Sequence, residues 1–142
     1  MTSRWLGWTG SLVLIVAAMA IGCGRADDSA TRTELQRLRS GTLDVVVLSP
    51  QKSLQHGKDT LFIEFRSASG GSLVDVGNVR FTASMPMAGM APMFGNMEVQ
   101  RTGVPGRYSV GSDLGMAGSW RMNIEWGDSA TRGSVSFTGT AQ

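Results

Sequence analysis

Five of the nine methionines of this chain fall between Met85 and Met97. They sit in Met85-Pro86-Met87-Ala88-Gly89-Met90-Ala91-Pro92-Met93 and the few residues beyond it, and a second piece, Met116-Ala117-Gly118-Ser119-Trp120, follows downstream. Thioether sulfur is a soft donor that selects Cu(I) over harder ions. It needs no deprotonation to bind. Pro86 restricts Met85 to extended backbone, so Met85 and Met87 project to the same side. Gly89 permits a tight bend that can return Met90, and Pro92 stiffens the chain before Met93. Met116 can join from the turn ahead of Trp120. The segment reads as a candidate Cu(I) site of Met85, Met87, Met90, Met93 and Met116. Neutral donors leave the ion's charge in place, so moderate affinity is expected, which suits carrying or sensing copper. Cu(II) would want nitrogen or oxygen donors.

Another reading of the same residues stays open. Methionine fills irregular gaps and makes adaptable binding surfaces, so the segment could plug a domain end or dock a partner protein. Met97 and Met122 fall within apolar alternation and are expected in the core. Trp120 could tune a neighbouring copper ion by stacking or cation–π contact, or simply fill the core. The single histidine, His56, lies in a polar turn. The sequence offers no reason to place it beside the methionines. No Ser/His/Asp set, no paired carboxylates in an apolar setting and no phosphate-cradling loop can be assembled, so binding rather than catalysis is expected.

The elements that must position these residues are strands. Leu43, Val45 and Val47 alternate with more polar positions, as do Leu61, Ile63 and Phe65; Val79, Phe81 and Ala83; Tyr108 and Val110; Trp120, Met122, Ile124 and Trp126; and Val135 and Phe137. This is period-two patterning with one dry face. Turn signals stand at Ser49-Pro50, His56-Gly57, Ser69-Gly70-Gly71, Gly95-Asn96, Pro105-Gly106 and Gly127-Asp128. About seven short strands in roughly a hundred residues predict an all-β, immunoglobulin-like antiparallel β-sandwich. Trp120, Trp126, Phe65 and Phe81 are its expected large core residues. A lone cysteine excludes an internal disulfide.

The N-terminus reads as a targeting segment. Arg4 gives a positive start, and Leu12 to Ile21 is an apolar run too short for a comfortable membrane span. It closes on Ala20-Ile21-Gly22-Cys23, which resembles the lipobox of bacterial lipoproteins. That resemblance implies a signal peptide over 1–22, cleavage before Cys23 and a lipid on Cys23 that holds the protein to a membrane. The alternative is an uncleaved anchor reaching back to Trp5. Both place the remainder outside the cytoplasm, on the periplasmic face in a Gram-negative cell. Residues 23–41 are polar and charged and read as a flexible tether, with Glu34 to Arg39 offering at most a short helix. Residues 42–142 form the expected domain. Lys and Arg number 13 against 11 Asp and Glu. The charges are scattered without a basic stripe, so a nucleic-acid partner is not expected.

Phe81-Thr82-Ala83-Ser84 leading into Met85-Pro86-Met87-Ala88-Gly89-Met90, then Gly106-Arg107-Tyr108, then Leu114-Gly115-Met116-Ala117-Gly118-Ser119-Trp120 resembles the YtkA-like domain, related to the FixH group. The resemblance covers about Thr42 to Phe137. It implies an extracytoplasmic β-sandwich, found as a lipoprotein or membrane-anchored protein beside metal-efflux or copper-oxidase assembly components. Copper handling is the function it implies. The first motif falls on Met85, Met87 and Met90, and the second on Met116 and Trp120. Many relatives carry histidine where this chain has Met90. Loss of that nitrogen donor implies a stronger lean towards Cu(I).

Overall fold

The computed structural model describes residues 31–127 and 132–142. The expected signal peptide and Cys23 lie outside the described residues. Among the described residues, the alternating runs form eight strands: β1 (Thr33–Ser40), β2 (Leu43–Ser49), β3 (Gly57–Ser67), β4 (Val79–Met85), β5 (Met93–Arg101), β6 (Arg107–Leu114), β7 (Gly118–Trp126) and β8 (Gly133–Ala141). Their hydrogen-bonded order is β1-β2-β3-β6-β5-β4-β7-β8, and every pairing is antiparallel. The ribbon folds over at β5. Met93 to Gly95 pair with β4, while Asn96 to Arg101 pair with β6. The result is the expected immunoglobulin-like sandwich. Val45, Val47, Leu61, Ile63, Phe65, Tyr108, Val110 and Leu114 on one sheet face Phe81, Ala83, Met85, Trp120, Met122, Ile124 and Trp126 on the other.

Two features depart from the sequence expectation. The stretch read as tether contains a strand: β1 lies along β2 from Thr33 opposite Ser49 to Ser40 opposite Leu43. A bulge between Glu34 and Gln36 shifts its register, which breaks the alternation that would have revealed it. Leu35 packs against the core, while Arg37 and Arg39 find their partners in Glu34 and Asp44. The ordered domain therefore starts about nine residues earlier than expected (42 − 33), and the strand count is eight rather than seven. Gly95-Asn96, read as a turn, lies inside β5. Gly95 marks the point where β5 changes partner, and a Cβ there would lie 2.6 Å from Leu114 Cδ2. Glycine in a strand interior commonly marks such a corner.

The outer face of the β2–β3–β6 sheet is held by charge. Glu64 is 1 % exposed beside Val46. It accepts Arg107 Nε at 2.7 Å and both Nε and a terminal nitrogen of Arg66. Burial pushes the Glu64 carboxyl up, but the hydrogen bonds from Arg66 and Arg107 outweigh it, and the pKa falls below the ordinary value. Removing one partner of a buried ion pair is costly. Because both guanidiniums keep some solvent contact, Glu64→Gln is expected to cost about 3 kcal/mol, the lower end of that range. A carboxylate with a depressed folded pKa stabilises the fold above its unfolded pKa, and that contribution disappears as pH falls through the folded value. Urea unfolding should therefore show the wild-type advantage over Glu64→Gln intact at neutral pH and shrinking below about pH 4.3. A pH-independent difference would mean that packing, not charge, explains the loss.

Candidate metal centre

The methionine segment caps one end of the sandwich. β4 ends and β5 begins at Met85 and Met93, which are directly opposed in the ladder. Opposed residues project to the same face. The hairpin tip between them turns where Met90 N–H donates to the Met87 carbonyl at 3.3 Å, with Gly89 at φ +74°. The bend expected at Gly89 is present, closed by this backbone hydrogen bond between Met90 and Met87.

The second motif arrives at the same end by the β6–β7 crossing. Trp120 is fully buried, and its indole Nε1 donates to the Met116 carbonyl at 3.1 Å. The tryptophan therefore ties down the loop that carries Met116. Gly118, at φ +135°, lies over Met85: a Cβ there would come 2.9 Å from the Met85 methyl and 3.8 Å from its sulfur. At Gly115 a Cβ would lie 3.4 Å from the Met93 sulfur. Glycines thus let this loop sit directly on Met85 and Met93. The two motifs, far apart in sequence, meet in space.

The five candidates are not equivalent. Met85 closes β4 and is 9 % exposed, within the core. Met93 opens β5 and packs half-buried against the core. Met87 is half-buried at the hairpin tip. Met90 and Met116 are 65 % and 40 % exposed. The end thus offers one buried and two half-buried methionines beneath and two exposed ones above. Met122 is fully buried and Met97 packs half-buried on the core, as alternation implied. Among the described residues no three His, Cys, Asp or Glu side chains converge. The donor type this end gathers is the thioether, which would suit a soft ion such as Cu(I) better than a hard one. A cleft of about 570 Å³ lies at the opposite end, lined by Asn78, Arg80, Glu125 and Trp126 among others. It has no soft donor in its lining.

The Gly-x-Tyr motif works at that opposite end. The Gly106 carbonyl accepts Phe65 N–H at 2.9 Å, and a Cβ on Gly106 would come 2.8 Å from Val74 backbone. Arg107 pairs with Glu64. The Tyr108 hydroxyl donates to the Gly77 carbonyl at 2.8 Å and to Asp75 at 3.1 Å, pinning the β3–β4 loop. This motif is architectural, whereas the methionine motifs converge on the candidate site.

An antiparallel sandwich with two methionine motifs meeting at one end defines the class. The YtkA-like family model matches residues 38–125, more than half of the chain. The chain belongs to the YtkA-like family. No curated protein matches it. Among solved structures it is similar to PcoC, a methionine-rich copper resistance protein from Escherichia coli, at 16% identity and TM-score 0.45, covering 66% of this chain and 91% of that one. It is similar to FetP of uropathogenic E. coli strain F11 at 10% identity and TM-score 0.44, covering 77% and 93%. It is also similar to the Lin-41 filamin domain at 13% identity and TM-score 0.42, covering 63% and 81%. None of the three is similar enough to transfer a function.

Proposed function

We propose that this protein is an extracytoplasmic copper-binding lipoprotein. It holds Cu(I) at the methionine end for transfer, tolerance or oxidase assembly, and it catalyses no reaction. The observation that carries the reading is the convergence of Met85 and Met93 with the Met116 loop, a set of neutral soft donors brought together at one end of the sandwich. Met85, Met93 and Met87 would hold the ion from below. The exposed Met90 and Met116 would hand it in and out. Trp120 would keep the Met116 loop in place through its indole hydrogen bond. A lipid on Cys23 would fix the domain to the membrane, and the natural acceptor would be an efflux or oxidase-assembly protein at the same surface.

A second reading rests on Phe94, which is 75 % exposed on the same hairpin as Met90. Together they could form an apolar patch that docks a membrane-complex partner without metal. Anaerobic titration of the full chain with Cu(I) against a chromophoric chelator separates the two. One equivalent bound at moderate affinity is the expected result. No binding within the chelator's range would overturn the copper reading in favour of docking.

A further inference from the structure

The chain's one histidine stands at the methionine end, although nothing in the sequence places it there. Leu54 forms a parallel bridge with Ala141, and Ala141 is in register with Gly118. Gln142 N–H donates to the Leu54 carbonyl at 2.9 Å, and His56 N–H donates to the Gln142 carbonyl at 3.0 Å. The next residue, Gly57, opens β3 opposite Leu114. Residues 54–57 therefore cross the end of the sandwich from the β8 side to the β6 side. They run alongside the 114–118 crossing that carries Met116. Adjacent strands lie about 4.8 Å apart, so one to two strand spacings put the two backbones roughly 5–10 Å from each other. That is within the combined reach of an imidazole and a thioether.

The ring itself is set up as a ligand. His56 Nδ1 lies 2.6 Å from the Gln142 carbonyl oxygen. A carbonyl oxygen only accepts, so Nδ1 carries the proton and donates, and Nε2 of the neutral ring keeps its lone pair. The side chain is exposed. Holding one ring nitrogen on a backbone carbonyl is how proteins fix the tautomer and aim of a metal-binding imidazole.

We propose that His56 Nε2 and Met116 Sδ form an exposed donor pair that completes the methionine site around one soft monovalent ion. This rests on the Cu(I) reading and names a further ligand for the same site. Imidazole suits copper alongside thioethers.

The test uses the full chain in detergent, with Ag(I) alone as a diamagnetic stand-in for Cu(I). Methionine methyls and the histidine ring are followed by NMR. A single histidine makes the ring signal unambiguous. One equivalent of Ag(I) should shift the His56 ring and the Met116 methyl together with those of Met85 and Met93. His56→Gln should remove the Met116 shift and weaken Ag(I) binding at least about tenfold, the lower end of what losing even an outer-shell partner costs. If the Met85 and Met93 methyls move while the His56 ring stays still, the copper reading stands and the His56 pair is overturned. A ring shift without a Met116 shift, or unchanged affinity in His56→Gln, overturns it as well. If no methionine methyl moves, both the pair and the copper reading fall.

Discussion

Leucine at both Met85 and Met87 is expected to abolish Cu(I) binding while leaving the domain folded. Leucine keeps the size and apolarity of methionine and removes only the sulfur. Met85 is part of the core, where a volume-conserving swap usually costs less than about 1.5 kcal/mol. Met87 is only half-buried, so its replacement adds little. The opposite holds for a soft ion, because a hydrocarbon offers no lone pair. The buried half of the site would keep Met93 alone. The check is a chelator competition beside a urea unfolding curve. Loss of binding with the unfolding midpoint near wild type is the expected pair of results. Binding equal to wild type would remove Met85 and Met87 from the site. Single leucine replacements at the exposed Met90 and Met116 should weaken binding without abolishing it, and should speed release if these sulfurs serve as the exit. The docking alternative makes a contrary demand, since an apolar patch should tolerate leucine at every one of these positions.

How much of this was legible in the sequence depends on how local each signal was. Period-two alternation is local, so the strands carrying Phe65, Phe81 and Trp120 and the sandwich itself could be read directly. The bulge near Glu34 hid β1, because one extra residue reverses the in–out order that makes a strand visible. Gly95 looked like a turn because glycine's reason for being there lies elsewhere in the chain: Leu114 and Trp120 press against it from other strands. The methionines were readable by type and spacing, but their separate environments were not. Met85 and Met93 became partners through the β4–β5 register, and the Met116 loop joined them across the β6–β7 crossing, seated by Gly115 and Gly118 and tied down by the Trp120 indole. His56 carried no local sign at all. Its position follows from two pairings, Gly57 with Leu114 and the segment at Leu54 with the end of β8, and long-range pairing is what a single sequence conceals. Val46 makes the same point on the outer face. Alternation put it in water, yet it is 1 % exposed between Arg37 and Glu64 in the ladder.

Phe65→Ala is expected to cost about 3–5 kcal/mol, a large share of a marginal domain's stability. Phe65 is fully buried. Its ring meets Tyr108 edge-on at 5.7 Å and Trp126 at 5.2 Å, and such pairs add to the area they bury. Its backbone also accepts Val74 N–H at 2.8 Å and donates to Gly106 at 2.9 Å, so a cavity here would loosen the anchor of the β3–β4 loop as well as the core. Tyr108, whose hydroxyl pins that loop at Gly77, would lose the ring it packs against. Chemical denaturation measures the loss, and a change under about 1 kcal/mol would show that the strand faces are assigned wrongly. The same variant separates architecture from site. Phe65 lies near the end of β3 opposite the methionines, in register with Val45, whereas Gly57 at the other end of β3 pairs with Leu114. Below the new unfolding midpoint, Phe65→Ala should therefore bind Cu(I) with wild-type affinity, because the register that sets Met85 against Met93 and the indole bond that holds the Met116 loop are both intact. A fall in affinity within the folded population would mean that the two ends are coupled through the core, and that the β5 strand joining the sheets transmits strain from one end to the other.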